Sequence, residues 1–289
     1  MNYDGWLIYS KQDALDNEAY IKWFIHEALN QGLTLELILR EEISIGIIND
    51  EQRLFVNHTD IELPTYAVVR TVEPLLNLQL EEMGVQVYNS AKTAEICNHK
   101  ALTHLEVSKL RIPMVDTYFF NKKNFTSKAP LPFPFVIKEA TGRGGNQVYL
   151  VENKEQWVQC RSKLVSHDVI VQRCQVQLGK DIRVFVVGKE IIGAVLRESK
   201  TDFRANFKLG GSAKWYALNK EETKLINKII HHFDFGMVGI DFLINPDGSL
   251  LFNEIEDIVG SRTLSAVSNI NILEQYTRHI KKEISGKYH

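Results

Sequence analysis

Two apolar, strand-like segments near the end of the sequence carry acids where acids are costly. Gly239-Ile240-Asp241-Phe242-Leu243-Ile244 carries Asp241, and Leu250-Leu251-Phe252-Asn253-Glu254-Ile255-Glu256-Asp257 carries Glu254 and Glu256. Their neighbours draw both segments into a core, where a carboxylate must be neutralised. Side chains alternate along a strand, so Glu254 and Glu256 share a face with Cα atoms roughly 6.6 Å apart. Asn245-Pro246-Asp247-Gly248 is a turn signal that folds the first strand back beside the second and brings Asp241 to the same place. Three oxygen ligands without Cys or His suit Mg²⁺ or Mn²⁺, ions that leave positions for water and phosphate. The chemistry implied is a nucleotide–metal site. A hairpin whose acids face water accounts for the same residues and stays open as the alternative.

Upstream lie groups suited to phosphate. The strand Phe135-Val136-Ile137-Lys138 runs into a loop containing Gly142, Gly144 and Gly145, where backbone N–H groups can approach phosphate oxygens unobstructed and Lys138 supplies a charge. No Gly-Lys-Ser/Thr opens a helix there, so this is not a P-loop; a plain hairpin turn fits as well. Lys100 falls on a helix pattern, where lysines are usually solvated. Arg197, Lys200, Arg204, Asn206 and Lys208 precede Gly210-Gly211. Arginine forks bind carboxylates and phosphates and stabilise charge on a transferred phosphoryl group, although a basic surface loop would read the same way. Co-occurrence of all three features favours the chemical reading.

The chain of 289 residues is long enough for two cores, and 44% hydrophobic with 24% charged residues is ordinary for a globular protein. A net charge of −2 gives no footprint for nucleic acid or an anionic membrane. The first residues lack a signal-peptide pattern, and no apolar run reaches the ~18 residues of a membrane span. Cys97, Cys160 and Cys174 are odd in number and scattered, which argues against disulfides or zinc. A cytoplasmic location is expected, with a homodimer as the default assembly.

Strand patterns at 6–9, 33–39, 67–70 and 85–88 alternate with helix patterns at 18–31 and 74–83, which predicts a small parallel sheet covered by helices; residues 41–64 suggest a hairpin. No Gly-x-Gly-x-x-Gly follows the first strand, so a dinucleotide site is not expected there. A single helix is predicted over 93–110. Pro130, Pro132 and Pro134 read as a stiff lead-in to a hairpin with a glycine-rich tip, spanning 135–151. Strands at 169–172, 181–187 and 190–196 follow, with helices at 154–164, at 221–232 and from near 270.

In this order the pieces resemble the ATP-grasp superfamily, most closely its RimK-like carboxylate-amine ligases. The resemblance rests on Asn98-His99-Lys100, Val136-Ile137-Lys138 through Gly145, Val171-Gln172-Arg173-Cys174, Asp181-Ile182-Arg183, Asp202 to Asn206 with Gly210-Gly211, Gly239-Ile240-Asp241 and Glu254-Ile255-Glu256. It implies a mixed α/β and α+β fold: an N-terminal preATP-grasp, Rossmann-like domain over residues 1–92, an ATP-grasp domain over 93–289, and a mobile lid subdomain at about 117–172. By position, the resemblance assigns Lys100, Lys138 and the loop glycines to ATP phosphates, Arg173 and Cys174 to adenine through their backbones, and Asp181 to the ribose. It assigns Arg204 and Asn206 to the phosphate region, and Asp241, Glu254 and Glu256 to the metals.

Two departures stand out. The family usually presents Glu-x-Asn where this chain has Glu254-Ile255-Glu256, and the extra charge attracts metal but repels phosphate. Asp257-Ile258-Val259-Gly260-Ser261-Arg262 also differs from the family's small-residue turn. Arg262, and Arg70 at the end of an N-terminal strand, are candidates for binding a substrate carboxylate.

The activity implied is ATP-dependent amide formation through an acyl phosphate, with release of ADP and phosphate. Lys138 would neutralise phosphate charge, while Arg197 and Arg204 orient the acceptor or stabilise the oxyanion. The substrates would be small-molecule acids and amines or a peptide. Two other readings remain: a leader-guided peptide-modifying ligase, and an ATP-binding sensor without ligase chemistry.

Overall fold

The computed structural model describes residues 3–142, 145, 147–205 and 211–287. It opens with β1 (Tyr3–Tyr9), α1 (Lys11–Asp16), α2 (Glu18–Asn30) and β2 (Leu33–Leu39), followed by a three-stranded antiparallel sheet, β3 (Ile43–Ile48), β4 (Glu51–Val56) and β5 (Thr59–Asp60). Next come β6 (Tyr66–Val69), α3 (Pro74–Glu82) and β7 (Gln86–Tyr88). The strand order β2-β1-β6-β7 is parallel throughout. Both faces of that sheet are covered, which is why Trp6-Leu7-Ile8 is continuously apolar. Leu7 and Tyr9 pack with α2, while Trp6 and Ile8 pack with Leu76 and Leu80 of α3.

The helix expected over 93–110 is two helices, α4 (Ala91–Cys97) and α5 (Lys100–Ser108). Asn98 turns its side chain back to the Ala94 carbonyl at 2.8 Å, and His99 caps α5 by accepting from Leu102 N–H. The break places Lys100 at the first turn of α5, with its N–H bonded to the Ala140 carbonyl at 2.8 Å.

A second sheet follows: β8 (Thr117–Asn121), β9 (Phe135–Glu139), β10 (Val148–Val151), α6 (Lys154–Lys163) and β11 (Asp168–Arg173), with strand order β10-β9-β11-β8. Phe135, Ile137, Val151, Val169 and Val171 bury one face against Trp157 of α6. β8 and α1 carry too few periodic residues to have been expected from sequence.

The third sheet is β12 (Lys180–Val187), β13 (Glu190–Glu198), β14 (Ser212–Trp215), then, after α7 (Lys220–His232), β15 (Met237–Ile244) and β16 (Leu250–Glu256), in the order β14-β13-β12-β15-β16. Ile182, Val184, Val186, Ile240 and Phe242 line its back face against Ile226, Ile229 and Ile230 of α7. By alternation, the front face receives Asp181, Arg183, Arg197, Asp241, Glu254 and Glu256. Directly opposed residues share a face, and the register pairs Arg183 with Asp241, Asp181 with Arg197, and Asp241 with Glu254. The turn at 245–248 closes with Gly248 N–H on the Asn245 carbonyl at 2.9 Å and Gly248 at φ +90°.

The chain ends with α8 (Arg262–Val267) and α9 (Ile272–Lys287). Tyr276 of α9 packs on Phe24 of α2, tying the last helix to the first sheet.

Candidate functional site

The second and third sheets face each other across a cleft. Lys100, Lys138, Gly142, Gly145, Arg173, Cys174, Asp181, Arg197, Arg204 and Glu254 all line it, which brings together most of the residues singled out from sequence. Val115, Val136, Val148, Val176, Leu178 and Leu243 add apolar walls. Gly144 and Asn206 lie outside the described residues.

The cationic side is built from strand and loop together. Lys138, buried on β9, donates to Asn253 Oδ1 at 2.6 Å. Burial draws the Lys138 ammonium down to about 8; the charge of Lys100 adds to this, while Glu254, Asp241 and Asp181 oppose it. Lys100 Nζ holds the Gly142 carbonyl at the base of the glycine loop, and Arg204 Nη1 holds the Gly145 carbonyl at 2.5 Å while its fork clasps Asp202. Beneath them, Gln172 donates to Nε2 of buried His104 at 3.1 Å and to Thr117 Oγ1 at 2.9 Å. His104 is drawn down to about 4 by burial and by the charge of Lys138, so at neutral pH it donates from Nδ1 to the Lys100 carbonyl.

The acidic side is a ladder of ion pairs. Arg197 forks onto Asp181 at 2.6 and 2.7 Å and reaches Asp241 Oδ2 at 2.8 Å. Arg183 forks onto Asp241 at 2.7 Å to each oxygen and pairs with Glu256 through its other nitrogen. Burial pushes the Asp241 carboxyl up, but Arg183 and Arg197 outweigh it and hold the group at about 2. Burial and the charge of Asp241 push Asp181 the other way, upward.

This ladder changes the expected metal site. Among the described residues no three His, Cys, Asp or Glu side chains form a group that could hold an ion. Asp241 and Glu256 share the Arg183 cation, and Glu254 alone of the three acids lines the cleft. The donor chemistry still suits a hard divalent ion: Glu254 offers a carboxylate without a hydrogen bond among the described residues, and Asn253 Oδ1 lies beside it.

Arg183 and Asn253 are the parts that sequence reasoning missed. Arg183 had a visible signal, since it stands two residues from Asp181 on one strand face. Asn253 had none. A bulge pairs Asp241 with Glu254 but Phe242 with Phe252, so Asn253 is the extra residue, turned toward Lys138.

The two substrate candidates lie apart from the cleft lining. Arg262 is exposed at the start of α8. Arg70 is buried just past β6 and bonded to the Val259 carbonyl at 2.9 Å.

Residues 97–280, which supply most of this cleft, match the model of the RimK-like ATP-grasp domain. The chain belongs to the RimK-like ATP-grasp family. It is 28% identical over 261 residues to N-acetylaspartylglutamate synthase A of Homo sapiens, an alignment covering 84% of this chain and 66% of that one, about two thirds of the relative's length. It is 26% identical over 270 residues to the glutamate–LysW ligase ArgX of Sulfurisphaera tokodaii, covering 88% and 95%. The fold matches the ATP-grasp ligase PsnB, solved with a minimal precursor, Mg and ADP, at TM-score 0.69 and 15% identity over 97% of each chain. ATP-grasp proteins use ATP with a divalent metal, and these relatives are named as synthases and ligases. None of the described helices is long and apolar enough to cross a membrane.

Proposed function

We propose that this protein joins a carboxylate to an amine in the cytoplasm, driven by ATP, through an acyl phosphate with release of ADP and phosphate. The observation that carries this reading is the convergence of Lys100, Lys138, Arg197, Arg204 and Glu254 on one cleft with apolar walls. Those walls suit a nucleotide base, with the backbone of Arg173 and Cys174 at its edge. Lys100 and Lys138 bind and charge-balance the phosphates, and the glycine loop that Lys100 and Arg204 grip covers them. Residues 1–92 serve as the preATP-grasp domain, and 117–172 form the lid that excludes water from the acyl phosphate.

Arg197 and Arg204 orient the acceptor and stabilise the oxyanion formed when the amine attacks. A divalent ion would neutralise phosphate charge; Glu254 would hold it, and Asp241 and Glu256 would join it only where Arg183 gives them up. Glutamate, present in the names of both relatives, heads the reactants to try.

The test is incubation with Mg-ATP, pooled amino acids and short peptides, tracking ADP and masses equal to two components minus water. The parent should give both, and a folded Glu254→Ala protein neither. Full turnover in that variant would falsify the metal assignment.

A second reading, an ATP-binding sensor without ligase chemistry, draws on Arg183 occupying both Asp241 and Glu256. Tight ATP binding without ADP release under every acid and amine supplied would favour it.

A further inference from the structure

Arg183 is the buried cation whose place the proposed chemistry leaves unexplained. It stands on β12 opposite Asp241, and its side chain is 12% exposed. Nε and Nη2 donate to the two oxygens of Asp241 at 2.7 Å each, and Nη1 pairs with Glu256. All three nitrogens are thus committed to carboxylates. Among the described residues Glu256 pairs with no other cation, and Asp241 with one more, Arg197.

The backbone is shaped for this reach. Glu256 opposes Gly239 in the sheet, while Asp241 opposes Glu254. A guanidinium bonded to Asp241 therefore passes over position 239 to touch Glu256. A Cβ placed on Gly239 would stand 3.3 Å from Cδ and 3.4 Å from Nε of Arg183, and 2.8 Å from the Val259 side chain. Glycine leaves the room through which Arg183 spans both carboxylates. Val259 packs at the same gap, and its carbonyl is the one that holds Arg70.

Charge then divides the three acids of the expected metal site. Glu254 lines the cleft and forms no ion pair among the described residues, whereas Asp241 and Glu256 already share a cation. A guanidinium stays protonated in proteins, so it cannot turn neutral and make way for a metal as a lysine or histidine can. A divalent ion entering between Asp241 and Glu256 would meet that fixed positive charge at ion-pair distance in a poorly solvated place, where repulsion is strong. A single ion needs no such entry, because Mg²⁺ commonly takes one or two carboxylates and completes its shell with water and nucleotide phosphates. The same pairing gives Glu256, which stands where the family usually has asparagine, a counter-charge within the chain.

We propose that Arg183 is a built-in second cation of this site: its guanidinium neutralises Asp241 and Glu256 in place of a second divalent ion, so that the cleft takes a single divalent ion per nucleotide, at Glu254. This deepens the proposed function and rests on its nucleotide–metal reading.

Counting ions tests this without turnover. Mn²⁺, which gives an electron paramagnetic resonance signal, would be titrated into the full chain together with a non-hydrolysable ATP analogue, and the bound metal counted by equilibrium dialysis. The parent should hold one Mn²⁺ per chain, with the spectrum of an isolated ion. Arg183→Met frees two carboxylates and should hold two, with the line broadening of neighbouring Mn²⁺ ions. Glu254→Gln should weaken Mn²⁺ binding by about 10- to 100-fold, and Glu256→Gln should leave it within about threefold, because Glu256 faces the arginine rather than the ion. Should Arg183→Met not fold, the contrast between Glu254→Gln and Glu256→Gln decides.

The proposal is overturned if the parent holds two ions, if a folded Arg183→Met still holds one, as a merely structural ion pair would have it, or if Glu256→Gln loses as much affinity as Glu254→Gln. Two ions in a parent that forms condensed product sink the inference and leave the ligase standing. A single ion in a parent that never releases ADP, with the variants behaving as expected, sinks the ligase and leaves the inference. A chain that takes up no Mn²⁺ beside the analogue sinks both.

Discussion

Two groups of buried arginine sit back to back across Gly239, and they differ in one respect. Arg183 forks onto Asp241 and Arg197 onto Asp181, with single contacts from Arg183 to Glu256 and from Arg197 to Asp241; Arg70 faces tyrosine rings and a carbonyl. The first group has its counter-charges within the chain, so it contributes to folding while Arg197 also lines the cleft. Among the described residues the second has no carboxylate partner, and its charge is met by tyrosine rings, the Tyr9 hydroxyl and one carbonyl. Burial alone would have classed them together; the partners separate them.

That contrast is broken most directly by stability. Arg183→Met leaves Asp241 and Glu256 facing each other without their shared cation, and a buried pair broken on one side typically costs about 3–5 kcal/mol. Arg70→Met removes an unpaired cation, and the relief of desolvation offsets the lost contact to Val259, so its stability should stay within about 1–2 kcal/mol of the parent. Denaturant melts of both variants read the difference. Equal losses would mean that Arg70 is a structural staple and that the comparison carries no functional meaning.

Acid titration sharpens the same point. Asp241 is held at about 2, below its ordinary value of 3.8, so its contribution to stability is present above about pH 4 and is lost as pH falls through 2. The stability deficit of Asp241→Asn relative to the parent should therefore shrink by about 2 kcal/mol between pH 5 and pH 2. A deficit that does not change with pH would show that the two arginines do not hold Asp241 as the geometry requires.

The groups that were legible in the sequence are those whose roles follow from strand alternation and glycine spacing. The front-face acids, the hairpin with its glycine tip and the parallel first sheet could be expected because apolar periodicity fixes which side chains face inward. What alternation cannot reveal is which charge a neighbouring strand supplies. Asp241 and Glu256 suit a metal until Arg183, brought opposite Asp241 only by the β12–β15 pairing, claims both. Asn253 depended on a bulge, a one-residue slip that periodicity averages away. The continuous helix expected over 93–110 broke where side-chain bonds from Asn98 and His99 outcompeted helix continuation. Long-range partners account for the first two differences, and local side-chain bonds for the helix break.

The smallest effect compares the two cationic elements of the cleft itself. Burial brings Lys138 to about 8, so between pH 8 and its ordinary value of 10.5 the folded protein holds fewer protons than the unfolded chain, and stability rises with pH across that window. Function runs the other way. In the proposed function an uncharged Lys138 would no longer balance phosphate, so affinity for an ATP analogue should fall several-fold between pH 7 and 9.5, less steeply if the bound phosphates retain the proton. Lys138→Arg stays charged throughout and should flatten the profile, although it cannot reproduce the 2.6 Å contact to Asn253 and should bind more weakly at pH 7. A parent profile as flat as that of the arginine variant would mean that Lys138 lies off the phosphate path and that Lys100 with the glycine loop supplies the charge alone.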